Sequence, residues 1–176
     1  MTLARYIGAP YEETGHWVAG INHQAWLLRF EWKGKDTYPL IYEKMRDPEI
    51  YKQDMVRFEM MKFFGYFLTE SSYHNSEYVP WFRKNLELIE RWTPAVGSWE
   101  KGAIERHEDG TQRRRENLRK EAYGEVPIEI DRGHEYCISI IDAIESNTPT
   151  RINGNVPNTG LITNLPYGSC VEVPCL

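Results

Sequence analysis

Three short stretches hold the residues whose chemistry stands out. "GINHQAWLLRF", residues 20–30, sets His23 among apolar side chains. Neutral imidazole suits metal ligation and proton transfer near pH 7; a hydrogen-bonded core histidine is the structural alternative. One imidazole does not make a catalytic metal site, which takes several N, O or S donors. His16 is not at a spacing that helps. "TESSYHNSEY", residues 69–78, gathers Glu70, Ser71, Ser72, Tyr73, His74, Glu77 and Tyr78, with Trp81 close behind. As structure this is a helix N-terminus, with Ser71 or Ser72 capping and Glu77 solvated. As function it is the mix of donors, acceptors and aromatic faces that a polyhydroxylated sugar requires. "NGNVPNTG", residues 153–160, holds Asn155 and Asn158 in a pattern that turn chemistry alone explains. No GxGxxG, P-loop, HExxH or GxSxG motif is present.

The elements that must position these residues read as an α+β fold. Residues 2–7 suit the end of a helix closed by Gly8 and Pro10. A strand is expected through His23, followed by a hairpin around "KGKD". The alternation puts Trp26, Leu28, Phe30 and Trp32 on one face and Leu27, Arg29 and Glu31 on the other. "DPEIYKQDMVRFEMMKFFG" reads as one core helix, capped by Asp47, with Pro48 in the first turn and Gly65 as the stop. "ELIERWTPAVGS" reads as a connector. Residues 98–122 read as a long exposed helix with a break at Asp109-Gly110. "DRGHEYCISIIDAIESN" predicts a helix started by Asp131, buried through Cys137, Ile138, Ile141 and Ile144 and ended by Thr148-Pro149. The tail from residue 150 is β-rich and broken by Gly, Asn and Pro.

The whole chain narrows the function classes. Its 176 residues suit one domain with a real core. With 41% hydrophobic and 27% charged residues, it is globular rather than disordered, and a net charge of −5 argues against a nucleic-acid partner. No apolar run approaches the ~20 residues of a membrane span, and no secretory signal is expected. Cys137, Cys170 and Cys175 lack CxxC spacing and are expected as free thiols of a cytoplasmic protein. The opening "MTLARYIGAP" has no N-cap, and the closing "VEVPCL" reads as an unfinished strand. We therefore expect a single partial domain over 1–176, truncated at both ends.

"AGINHQAWLL", "GYFLTESSYHNSEYVPWF" and "NGNVPNTGLITNLPYGSCVEVPCL" together resemble the family 4 glycoside hydrolases. The α-galactosidase (melibiase-like) branch is most similar, with the α-galacturonidases nearby. The resemblance runs from about Ala19 to Leu176 and is weakest over 98–122. It implies a substrate-side domain like the C-terminal half of a lactate dehydrogenase, without its Rossmann domain. It also implies an enzyme outside the two-carboxylate scheme of most glycosidases. NAD⁺ oxidises C3 of an α-galactoside, a base takes the C2 proton, and the glycosidic oxygen is eliminated from C1. Mn²⁺ acts as a Lewis acid. By resemblance, His23 and a Cys outside this chain hold the metal. Tyr66 is the nearest match to the base, although other branches place an Asp where this sequence has Ser71. His74 is implied in sugar contact, with Asn155 and Asn158 as further substrate-binding candidates. The parent is expected to be a homo-oligomer and this chain alone to be inactive. The non-enzymatic alternative is a remnant that binds a sugar or a partner chain.

Overall fold

The computed structural model describes residues 2–93, 110–128 and 136–176. A short helix α1 (Thr2–Ile7) leads to the long hairpin β1 (Thr14–Ile21) and β2 (Gln24–Trp32), with β3 (Lys35–Asp36) beyond it. Helices α2 (Tyr38–Lys44), α3 (Pro48–Gln53) and α4 (Met55–Phe64) follow, then strand β4 (Phe67–Leu68) and helices α5 (Ser72–Tyr78) and α6 (Leu86–Trp92). Residues 110–122 form helix α7, and the chain closes with α8 (Cys137–Ser146), β5 (Ile152–Pro157) and β6 (Cys170–Cys175). The strands form one sheet in the order β3-β2-β1-β6-β5, with β4 on β2, and every pairing is antiparallel. This is the expected α+β class.

The main core lies between the hairpin and α1, α2 and α4. Leu3, Val18, Leu27, Ile41, Phe58 and Met61 are buried there. A second cluster of Val56, Met60, Leu68 and Phe82 packs on the other side of α4.

The structure corrects the sequence reading at five places. First, His23 is not inside a strand. Asn22 and His23 form the turn between β1 and β2, where Ile21 pairs with Gln24. Second, the alternation in β2 changes phase. Trp17 pairs with Arg29 but Val18 pairs with Leu27, so Leu28 is an extra residue in the ladder. Such a bulge moves the following side chains to the opposite face. Leu27 and Phe30 are therefore both buried, and Leu28 is exposed.

Third, the helix expected over 47–64 is broken at Asp54, whose backbone leaves the helical region at φ −145° and ψ 40°. Its buried carboxylate accepts from Arg57 Nε at 2.7 Å, Tyr6 Oη at 2.7 Å and Ser72 Oγ at 3.0 Å. Asp47 and Gly65 cap the two pieces as expected: Asp47 accepts from Glu49 N–H, and Gly65 takes the left-handed conformation at φ 84°. Fourth, α6 occupies the first half of the expected connector, capped by Asn85. Fifth, the isoleucines of α8 face outward; Ile138, Ile141 and Ile144 are exposed. Asp131, and residues 98–109 of the expected long helix, lie outside the described residues. Residues 110–122 are helical and largely exposed.

Candidate functional site

The site is built where the tip of the β1–β2 hairpin meets the loop between β4 and α5. Gly20 makes the tip possible. At φ +150° a Cβ there would sit 2.7 Å from Ala25 Cα and 2.9 Å from Gln24 O, so only glycine lets the strands close this tightly. The turn then presents His23 with its side chain 58% exposed.

Strand β4 brings the second half. Trp26 pairs with Leu68 and Leu27 with Phe67, and Thr69 N–H donates to Ala25 O at 3.0 Å. This register delivers Glu70 to the hairpin tip. His23 Nδ1 lies 2.7 Å from Glu70 Oε2, and Ser71 N–H donates to Glu70 Oε1 at 2.7 Å. A parallel link lies behind it. Gln24 Nε2 donates to Asn75 Oδ1 at 2.5 Å, and the buried Asn75 amide donates to Glu70 O at 2.6 Å and Ser71 O at 3.0 Å. Ser71 caps α5, accepting from His74 N–H.

His74 stands in the first turn of α5. Its Nδ1 lies 3.1 Å from Glu77 Oε2, and Glu77 in turn pairs with Arg83. Glu172 joins from β6, opposite Gly20 on one side and Asn155 on the other. Directly opposed residues share a face of the sheet, which sets Asn155 beside Glu172. Glu70 and Glu172 both line a cavity of about 440 Å³ with Leu3, Val18, Phe30 and Phe67. Burial pushes the Glu70 carboxyl up, but Ser71 N–H, His23 and His74 outweigh it and hold Glu70 below the usual carboxylate range. Burial pushes Glu172 up, and His23 opposes it only in part.

The structure thus brings His23 and His74 to Glu70, and sets Asn155 beside Glu172. It does not bring Tyr66 there. Tyr66 instead lines a second cavity with Arg29, Asp36 and Tyr42, its ring edge-on to Tyr38 at 6.1 Å. Asn158 is also spent elsewhere. It is 1% exposed; its Oδ1 accepts from Ile162 N–H, and its Nδ2 donates to Ile162, Leu165 and Pro166 carbonyls. That amide organises the loop before β6. Glu70 and Glu172 are the residues sequence reasoning left without a role. The alternation of "VEVPCL", with Val171 and Val173 buried, was the available signal that Glu172 points to the opposite face.

An imidazole flanked by carboxylates is a suitable donor set for a divalent cation such as Mn²⁺. It is incomplete by itself: among the described residues no three His, Cys, Asp or Glu side chains gather to hold a metal.

The family described as "Family 4 glycosyl hydrolase C-terminal domain" matches residues 18–176. The chain belongs to this family. It is 39% identical over 177 residues to an α-galactosidase of Bacillus subtilis (strain 168), covering 99% of this chain and 40% of that protein. It is 34% identical to an α-galactosidase of Rhizobium meliloti (strain 1021), covering 98% of this chain and 36% of that protein. The chain thus spans about two fifths of the length of these relatives. Its fold is shared with a 6-phospho-α-glucosidase from gut microorganisms solved with NAD and Mn²⁺. There the TM-score is 0.60 at 21% identity, over 99% of this chain and 42% of that one. The fold is that of a family 4 C-terminal domain, and no Rossmann fold is present among the described residues. No helix among them is long and apolar enough to cross a membrane.

Proposed function

We propose that this chain is the substrate-side part of an NAD- and Mn²⁺-dependent α-galactosidase. The observation that carries the reading is the hairpin tip, where His23 is exposed and braced by Glu70 beside the first turn of α5, which carries His74. The likeness to two α-galactosidases supports the substrate class, and the NAD and Mn²⁺ bound by the 6-phospho-α-glucosidase of the same fold support the cofactors. When bound, NAD⁺ accepts hydride from C3 of the sugar and Mn²⁺ acidifies the C2 proton by drawing charge onto the neighbouring oxygens.

This chain's own residues do the rest. His23 offers an imidazole nitrogen to the metal. His74 and Asn155 flank it with side chains that hydrogen-bond sugar hydroxyls. Asn158 belongs to the loop scaffold in this reading. Tyr66 remains the group matched by resemblance to the base that takes the C2 proton; it lines a neighbouring cavity with Arg29 and Asp36. We further place the parent in the cytoplasm as a homo-oligomer, a reading that the free cysteines and the exposed isoleucine face of α8 support.

The chain lacks a dinucleotide-binding glycine motif, so hydrolysis requires the longer parent. The test is an assay of the purified 176-residue chain with an aryl α-galactoside and, for comparison, an aryl α-galacturonide. NAD⁺, Mn²⁺ and a thiol reductant are supplied, and the longer parent is run beside it. Turnover is expected from the parent on the galactoside and none from the chain. Turnover that co-purifies with the chain overturns the partial-domain reading, and a parent active only on the galacturonide overturns the substrate.

A further inference from the structure

We propose that Glu70 is a positioning residue that makes His23 a one-sided metal donor. The proposal rests on the reading of His23 as a metal ligand and adds the group that prepares it. An ionised carboxylate only accepts hydrogen bonds. Glu70 Oε1 accepts from Ser71 N–H at 2.7 Å, and Oε2 faces the His23 ring at 2.7 Å. The ring nitrogen facing it, Nδ1, must then carry the proton. In a neutral imidazole this leaves the lone pair on Nε2, the nitrogen turned away from Glu70.

Glu70 thereby fixes both tautomer and ring orientation, the two properties that a hydrogen-bonded carboxylate imposes on a ligating histidine. The geometry is over-determined for this task. Glu70 cannot drift, because Asn75, itself fully buried, holds its carbonyl. The hairpin tip cannot drift either, because Gln24, next to His23, is tied to the same Asn75. The bracket from Asn75 to both halves keeps the His23–Glu70 distance short without any ligand.

Two readouts test this, one without metal on the 176-residue chain and one with Mn²⁺ on the longer parent, which supplies the remaining metal donors. Nitrogen-15 NMR of the imidazole at mildly alkaline pH is expected to find His23 as the Nδ1–H tautomer. Glu70→Ala is expected to move it toward Nε2–H. Paramagnetic broadening of the His23 ring during Mn²⁺ titration reports binding. Glu70→Ala is expected to weaken the apparent affinity by about 10–100-fold. Glu70→Gln keeps the shape and an acceptor oxygen but not the charge, and is expected to fall between. It also guards against a folding defect, checked for each variant by circular dichroism. If both variants keep the wild-type tautomer and Mn²⁺ affinity, the proposal is wrong. If the tautomer responds to Glu70→Ala but Mn²⁺ never broadens His23 in the wild-type longer parent, the ligand reading fails and the metal role of Glu70 falls with it, while the hydrogen bond stands.

Discussion

Replacing Asp54 should unfold the frame behind the site more than any exposed change. Asp54 and Arg57 are an ion pair with side chains only 4% and 9% exposed. The same carboxylate accepts from Tyr6 on α1 and Ser72 on α5. It therefore joins three helices and anchors α5 two residues beyond Glu70. In Asp54→Ala the Arg57 guanidinium stays buried, stacked on Phe67 at 4.6 Å, without its counter-ion. Removing one partner of a buried pair costs about 3–5 kcal/mol. A domain has only about 5–15 kcal/mol of total stability, so this is a large share of it. At roughly 2–4 °C per kcal/mol for a chain of this size, the melting temperature should fall by about 6–20 °C. Thermal and urea unfolding followed by circular dichroism read both quantities. The double variant Asp54→Leu with Arg57→Met should regain part of the loss, because no charge is left buried, but not all, since Tyr6 and Ser72 lose their acceptor. A loss below about 1 kcal/mol for Asp54→Ala, or a double variant weaker than the single, would refute the argument that the unpaired buried charge dominates.

Other outcomes follow from particular contacts. Gly20→Ala places a Cβ against the backbone of Gln24 and Ala25; it should destabilise the chain by about 1–3 kcal/mol and displace His23, visible in urea unfolding and in the His23 ring resonances. In the longer parent, His23→Ala should abolish Mn²⁺-dependent activity while NAD binding, measured by fluorescence titration, persists; wild-type activity at limiting Mn²⁺ would return His23 to a structural role. Tyr66→Phe in the parent should lower exchange of the C2 proton with solvent by ~10²–10⁴, the general-base range, if Tyr66 is the base, and leave it near the wild-type rate if the role lies elsewhere. Burial pushes His16 below its ordinary value of 6.5, so the unfolded chain binds the proton first. Stability should decline as pH drops through 6.5 toward the native value and be flat above it. His16→Gln should remove that part of the pH dependence in denaturant titrations.

The sequence by itself determined what neighbouring residues decide. Asp47, Ser71 and Gly65 sit at helix ends as their side chains and backbone freedom require. The hairpin pattern, the capped helices and the β-rich tail pointed to an α+β chain, and the three motifs held the candidate residues. What it did not determine depends on partners distant in the chain. The helix break at Asp54 comes from Tyr6 and Ser72, not from propensity, since nothing in "YKQDMVRF" stops a helix. The face swap in β2 comes from one extra residue, Leu28, that only the pairing with β1 reveals. His23 reads as a strand residue until the ladder makes it a turn, and its partner Glu70 arrives only through the pairing of β4 with β2. Gln24 and Asn75 are 51 residues apart in sequence yet share the hydrogen bond behind the site. Periodicity reports which face of an element is apolar; it carries no information on which element lies opposite, and that choice assembled this site.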